Sequence, residues 1–366
     1  MKCEATTCDV IILGGGPAGT AAALVLARAG LRVAVLERSA YDSLRMGETF
    51  PPEICVPLQR LGVWERFRSA GHLESPGILS CWGRVKPFEH DFIFDAYGCG
   101  WHVDRLLFDR MLADAAREAG ASVWLLARAQ HCARAADGTW RVKARYAGRT
   151  VEFRADYLID AAGRAGSPGQ ERQPGTRYDR LLGCVAFLVA HGKQRFAETR
   201  TVIEARPEGW WYSAPLPQGR LVIALMADAD LLPVQANDAA AFYWQRLRET
   251  SLTQRWLADF TPAAPLRHFA AHTGVRPAAA AKRLATGDAA LAFDPLSAQG
   301  TLKALTYGQQ AALTILAECA GDVQAVPQYA AKLAQEFRHY SVLHRKYYQA
   351  ELRWITEPFW RRRRGI

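Results

Sequence analysis

A short strand that runs into a glycine-rich turn and then a small-residue helix leaves a chain few ways to fold, and this arrangement lies close to the N-terminus. Cys8-Asp9-Val10-Ile11-Ile12-Leu13 is apolar and β-branched, Gly14-Gly15-Gly16-Pro17-Ala18-Gly19 follows it, and Thr20–Ala29 is rich in alanine and leucine. The pattern predicts a buried strand, a helix ended by Gly30, and a second strand at Leu31–Leu36 that closes a βαβ unit at Glu37. Gly14, Gly16 and Gly19 keep the G-x-G-x-x-G spacing. That spacing serves three demands: a tight turn, close backbone approach to a pyrophosphate, and close packing of helix on strand. The helix amides, with Ala18 among them, then face the phosphates. Glu37 stands where an acid binds ribose hydroxyls, and Arg38 beside it joins the expected cofactor-binding set. The unit predicts dinucleotide binding.

Downstream, Val103–Ala119 has helical periodicity, Ser122–Leu126 reads as a strand, Thr139–Tyr146 and Thr150–Phe153 as a hairpin, and Tyr157–Asp160 as a buried strand ending in the turn Ala161-Ala162-Gly163-Arg164. The middle is β-rich (Leu181–Ala190, Thr199–Ile203, Trp210–Ala214, Arg220–Met226), with a helix expected over Asp238–Asp259. Arg283–Phe293 returns to a strand-and-turn pattern before a strong helix at Gly300–Ala320, and Pro327–Ile366 is mostly amphipathic helix. The expected class is α/β: a discontinuous Rossmann-type domain from residues 1–75, 99–180 and 275–325, an inserted β-sheet substrate domain from 76–98 and 181–274, and a C-terminal helical segment, 326–366.

Composition removes several classes. Eight cysteines are scattered with no C-x-x-C pair and no Cys/His cluster at ligand spacing, against a disulfide scaffold, a dithiol centre or any metal site. The net charge of +10 favours an acidic partner or anionic substrate, but no aromatic-interleaved basic module points to nucleic acid. Apolar stretches are broken by charge or glycine well short of a membrane span, and Met1–Cys8 carries no basic-then-apolar leader, so the expected location is cytoplasmic.

The other end of the chain specifies the cofactor. Thr286-Gly287-Asp288-Ala289-Ala290, followed by Asp294-Pro295-Leu296-Ser297-Ala298-Gln299-Gly300, resembles the second flavin motif of the superfamily that includes p-hydroxybenzoate hydroxylase, geranylgeranyl reductases and flavin-dependent halogenases. The resemblance implies an FAD-binding domain in which Asp288 holds the ribityl chain, Pro295 lies in the flavin motif, and the Gln299 and Gly300 amides stabilise negative charge on reduced flavin. It further places Arg105 near the cofactor diphosphate, and Arg45 with Glu48 on a Gly-Glu loop close to the flavin.

Three departures narrow the reaction. Ala162 stands where single-component hydroxylases carry the aspartate of an Asp-Gly turn, which suggests a separate flavin reductase or an external reductant. Glu74-Ser75-Pro76-Gly77-Ile78 lacks the tryptophan halogenases' lysine, and Leu296-Ser297 lacks their glutamate. Through Gly47–Pro52, Gly209–Pro217, Phe293–Ser297 and Phe359–Arg362 the chain is most similar to LodB-like and GoxB-like flavoproteins, which mature tryptophylquinone enzymes. That resemblance implies hydroxylation of a tryptophan in a precursor protein of a quinone-dependent oxidase or dehydrogenase, with Glu48 and His102 as candidate catalytic groups and Trp211 and Tyr212 as candidate pocket walls. The alternatives are a halogenase, a small-molecule aromatic hydroxylase or reductase, and a non-catalytic FAD-bound maturation chaperone. Trp354, Phe359 and Trp360 with Arg361–Arg364 have the composition favoured at interfaces, although packing of this tail on the chain's own domains is the simpler expectation.

Overall fold

In the computed structural model, which describes residues 5–168, 174–192, 196, 198–280 and 282–364, the Val10–Leu13 strand lies inside a six-stranded sheet. Its parallel neighbours are Val33–Leu36 and Tyr157–Asp160; Ser122–Trp124 extends one side, and Arg283–Ala285 with the antiparallel Ala279–Ala280 the other. The strands read as continuous apolar runs because both faces are covered. On one face Val10, Ile12, Val33 and Val35 pack against three helices, Pro17–Arg28, Arg105–Glu118 and Gly300–Cys319. On the other, Ile11, Leu13, Ala34 and Leu36 meet Trp140, Val142 and Phe153 of a second sheet. That sheet contains the expected hairpin, Trp140–Tyr146 with Arg149–Ala155, and a strand unread in the sequence, Arg128–Arg134.

The inserted β-rich region forms an eight-stranded sheet from residues 77–91 and 181–270. Its long strands, Leu181–Ala190, Arg220–Asp228, Gly209–Leu216 and Thr201–Arg206, run antiparallel. The helix expected over Asp238–Asp259 ends at Arg248. The Glu204 carboxylate takes the amides of Ser251, Leu252 and Thr253 and thereby starts a separate short turn, Thr253–Ala258.

The terminal segment packs on the chain itself. Helix Ala325–Ala350 leads to Pro358–Arg363, and Phe359 and Trp360 are fully buried in the core of the large sheet beside Tyr348 and Trp210. Arg363 pairs with buried Asp228 at 2.7 Å, and Arg362 pairs with Asp228 and Asp230. Of the tail arginines, Arg361 and Arg362 are exposed. Cys8, Cys55, Cys81, Cys132 and Cys184 are buried, and no disulfide joins the described cysteines; Cys3 lies outside the described residues. Among the described residues no helix is long and apolar enough to cross a membrane, and no cluster of His, Cys, Asp or Glu is arranged to hold a metal.

Candidate functional site

The three glycines of the first turn do different things. Gly14 sits at φ +102°, a conformation open to glycine, and a Cβ there would collide with the Ala161 carbonyl. A Cβ on Gly19 would strike the Gly14 carbonyl, so Gly19 sets the closeness of helix to strand. Gly16 has no atom within 4 Å of its missing Cβ, which leaves open space at the start of a helix with no side-chain cap. Its first-turn amides are therefore free for phosphate oxygens. Ala18 contacts the opposite element: a Cβ on Gly308 would strike the Ala18 carbonyl, and one on Gly287 would come within 2.9 Å of the Ala18 Cβ. The N-terminal turn of the first helix is thus locked against the middle of the Gly300–Cys319 helix at Gly308.

Glu37 is buried at the end of its strand. Its Oε2 accepts the Gly15 amide at 2.8 Å, while Oε1 takes Ser39 and Arg45. Burial opposes its charge, but Ser39, Arg45 and the Gly15 amide outweigh it and hold the carboxyl below its usual range. Oε2 keeps a lone pair for a ribose hydroxyl. Arg38 next to it is exposed.

Arg45 and Arg105 converge on one acid that the sequence reading missed. Asp109, fully buried, receives Arg45 at 2.8 Å and Arg105 at 3.0 Å, and Arg105 also donates to the Met46 carbonyl. Arg45 further bridges to Glu37 at 2.9 Å. The Arg105-to-Asp109 spacing of four on a helix was the available signal.

At the second motif, the Asp288 carboxylate lies 3.0 Å from Lys303 Nζ and 3.4 Å from Arg164 Nε. Burial works against its charge, yet Lys303 and Arg164 hold it below the usual carboxylate range. Lys303, which could equally be read as a solvated helix lysine, is buried, donates to the Leu291 carbonyl, and lies over the Phe293 ring at 4.2 Å. Pro295 opens a short turn capped by Asp294. Ala298, in the left-handed conformation at φ +51°, then swings the chain into the next helix, a strain of the kind stored at functional sites. Gln299 and Gly300 are exposed at that helix's start, which has no side-chain cap, and Gly300 faces open space. Two uncapped helix starts with glycines facing open space, plus an acid with a spare lone pair, fit a flavin dinucleotide.

The Gly47–Glu48 loop lies beside this second helix start: a Cβ on Gly47 would be 3.8 Å from Thr301 Oγ1. Glu48 is 3% exposed. One carboxylate oxygen takes the Gly47 amide, and the other has no hydrogen-bond partner among the described residues. Burial pushes its carboxyl up to about 7, with Arg105 and the Gly47 amide pulling the other way. A group ionising there suits proton transfer at neutral pH. Leu44, Glu48, Val103, Phe187 and Leu216 line a common cleft with Arg45, Arg105 and Arg220.

His102 is fully buried. Its Nε2 meets the Thr199 carbonyl at 2.8 Å and its Nδ1 meets Thr49 Oγ1 at 3.1 Å; that hydroxyl is 2.6 Å from Tyr212 Oη. Burial lowers its pKa to about 4, so both ring nitrogens are engaged on a neutral imidazole one hydroxyl away from Tyr212. Tyr212 is half-buried and packs against the core that holds Trp210 and Leu216. Trp211 is a correction. Strand alternation sends it to the opposite face of the sheet, where it is fully buried against Tyr243 at 5.0 Å, away from the cleft.

Comparison with known proteins agrees with FAD as the cofactor. The family model of the FAD binding domain matches residues 7–321. Over 98% of this chain and 97% of the relative, the sequence is 30% identical to LodB of Marinomonas mediterranea, named as an FAD-dependent oxidoreductase. The fold overlays that of the myxobacterial chondrochloren halogenase CndH with a TM-score of 0.90, at 21% identity over 99% of this chain and 86% of that one. It overlays the peptidyl tryptophan dihydroxylase QhpG at 0.78, with 23% identity over 98% and 79%. The chain belongs to the FAD binding domain family and is an FAD-dependent oxidoreductase.

Proposed function

We propose that the chain is a monooxygenase that hydroxylates a tryptophan side chain of a precursor protein during biogenesis of a quinone cofactor. The observation that carries this reading is Glu48: a buried carboxyl with one unbonded oxygen, ionising near pH 7, in a cleft it shares with Leu44, Phe187, Leu216 and three arginines, beside the start of the Gly300–Cys319 helix. The near full-length relation to LodB, and the fold shared with a protein described as a peptidyl tryptophan dihydroxylase essential for tryptophylquinone biogenesis, support the choice of substrate.

FAD, when bound and reduced, supplies the electrons that activate O2. Gly14, Gly16 and Glu37 would hold its phosphates and ribose, Asp288 its ribityl chain, and Gln299 and Gly300 its ring edge. Leu44, Phe187 and Leu216 form the apolar part of the cleft wall, and Arg45, Arg105 and Arg220 its cationic part. Glu48, ionised, takes the proton that leaves the ring carbon once oxygen is attached. A separate flavin reductase or external reductant returns the electrons.

A second reading, halogenation, is favoured by the close overlay on CndH. Against it, the strand Leu73–Ser75 carries no lysine and Ser297 is preceded by leucine.

The test is to incubate FAD-loaded protein with a flavin reductase, NADH, O2 and the unmodified precursor of a tryptophylquinone oxidase, with and without bromide, and to map the products by peptide mass spectrometry. One or two added oxygen atoms on a tryptophan, lost in Glu48→Gln, support the proposal. Bromine on an aromatic ring establishes the second reading. Maturation that persists in Glu48→Gln and His102→Ala, with FAD retained, would mean the protein acts only as a chaperone.

A further inference from the structure

The direction of each hydrogen bond around His102 is fixed by elementary valence. A carbonyl oxygen accepts only, so the 2.8 Å contact with Thr199 requires a proton on Nε2. The ring is fully buried and neutral, so Nδ1 is then a bare acceptor, and the Thr49 hydroxyl 3.1 Å away must donate to it. These two residues face each other across an antiparallel strand pair, Thr49 opposite His102, which holds the contact in place. Thr49 has one proton, now committed. Its 2.6 Å contact with Tyr212 therefore needs the phenol to donate. The chain Tyr212 to Thr49 to His102 to the Thr199 carbonyl runs one way, and the Tyr212 oxygen is left with lone pairs and no proton to offer.

Tyr212 presents this oxygen from a half-buried position against the core that holds Trp210 and Leu216, close enough to Glu48 for that carboxyl to help raise its pKa, after the larger effect of burial. We propose that the Tyr212 oxygen is an acceptor-only subsite that selects an aromatic ring bearing an N–H, orienting an indole by its ring nitrogen; this rests on the tryptophan-oxidation reading above. The protein contains the same pairing in its core: Tyr348 donates its proton to Asp294 at 2.7 Å and receives the indole N–H of Trp210 at 2.9 Å. Trp210 and Tyr212 lie two residues apart on the same face of one strand.

A polar group that can only accept discriminates between a ring that donates and one that does not, because the mismatched ring leaves a desolvated lone pair unpaired. Thr49 is a positioning residue here: it acts on the substrate only through the proton it takes from Tyr212.

The experiment compares binding of indole with that of benzofuran, which has the same shape but carries an oxygen in place of the N–H. FAD-loaded, oxidised protein is titrated calorimetrically at pH 8, where Glu48 is ionised. Wild type is expected to bind indole about tenfold more tightly, the equivalent of one hydrogen bond. Tyr212→Phe should abolish the preference. Thr49→Val should abolish or invert it, because the phenol proton becomes free to donate, and Thr49→Ser should restore it. Equal affinity of the two probes in wild type, a preference that survives Tyr212→Phe, or no binding of either probe at millimolar concentration would overturn the proposal. The readout is equilibrium binding of a fragment, so it is independent of catalysis. An indole preference without precursor oxidation would retain the subsite and remove the functional reading; precursor oxidation without the preference would do the reverse.

Discussion

Replacing Glu48 by glutamine isolates the energetic consequence of burying that carboxyl. In the folded chain burial raises it to about 7, from an ordinary value of 4.5. Between those two values the unfolded chain has released the proton and the folded chain still holds it. The folded state then binds more protons, and stability falls as pH rises. A gap of about two and a half pH units, at about 1.4 kcal/mol each, amounts to roughly 3 kcal/mol lost by pH 8. The side chain is almost wholly shielded from solvent, so screening removes little of this. Three histidines act in the opposite direction: burial lowers His72, His102 and His272 to about 4, and each loses stability as pH falls below 6.5. The wild-type profile alone therefore mixes two trends, whereas the difference between wild type and Glu48→Gln cancels the histidines. Urea unfolding of the flavin-free protein from pH 4.5 to 8 should show the glutamine variant gaining on wild type by about 3 kcal/mol, most of it before pH 7. A difference that stays flat to within about 0.5 kcal/mol would refute the burial argument. On the catalytic side, wild-type precursor oxidation should rise as pH passes through 7 and Glu48 ionises, and the variant should lose about a hundredfold or more in rate.

Gly16→Ala places a methyl group in open space, so urea unfolding without flavin should be unchanged while FAD affinity measured by dialysis falls tenfold or more; retained affinity would remove Gly16 from the cofactor cradle. Gly308→Val forces the two flavin helices apart and should cost about 1–3 kcal/mol of stability as well as flavin; unchanged unfolding would count against that close approach. Asp228→Ala leaves the buried Arg363 cation unpaired and should cost about 3–5 kcal/mol, whereas Arg363→Ala should cost less because Arg362 still pairs with Asp228; equal losses on urea unfolding would contradict this asymmetry. Trp211→Ala should destabilise by about 3–5 kcal/mol without changing the KM for substrate; a raised KM would place Trp211 in the cleft after all.

What could be read from the sequence was local. Each glycine of the first turn has a backbone requirement met within a few residues, and the strand–turn–helix pattern around it followed from residue type and period. Partners brought together by the fold could not be read in this way. Arg45 finds Asp109 far along the chain, and Thr49 gains its role only because two strands pair. Trp211 was misplaced because both faces of its strand are buried: an apolar run covered on both sides carries no alternation to show which residues face the cleft. The helix expected to reach Asp259 was ended by Glu204, a residue of another strand, and no local propensity could have announced that. The terminal aromatics and arginines have the composition of a docking surface. Phe359, Trp360 and Arg363 were instead absorbed beside Tyr348 and Asp228 in the chain's own core.

The central sheet also sets a timetable for biosynthesis. Val10–Leu13 emerges from the ribosome early, but its neighbour on one side, Tyr157–Asp160, follows only after more than a hundred further residues, and that strand waits in turn for Arg283–Ala285. The helix that closes on Ala18 comes later still. For most of translation the apolar edge of the first strand is an open template for wrong partners. FAD therefore has no complete site to enter until most of the chain has emerged, and nascent chains should depend on holding chaperones more than on the supply of flavin.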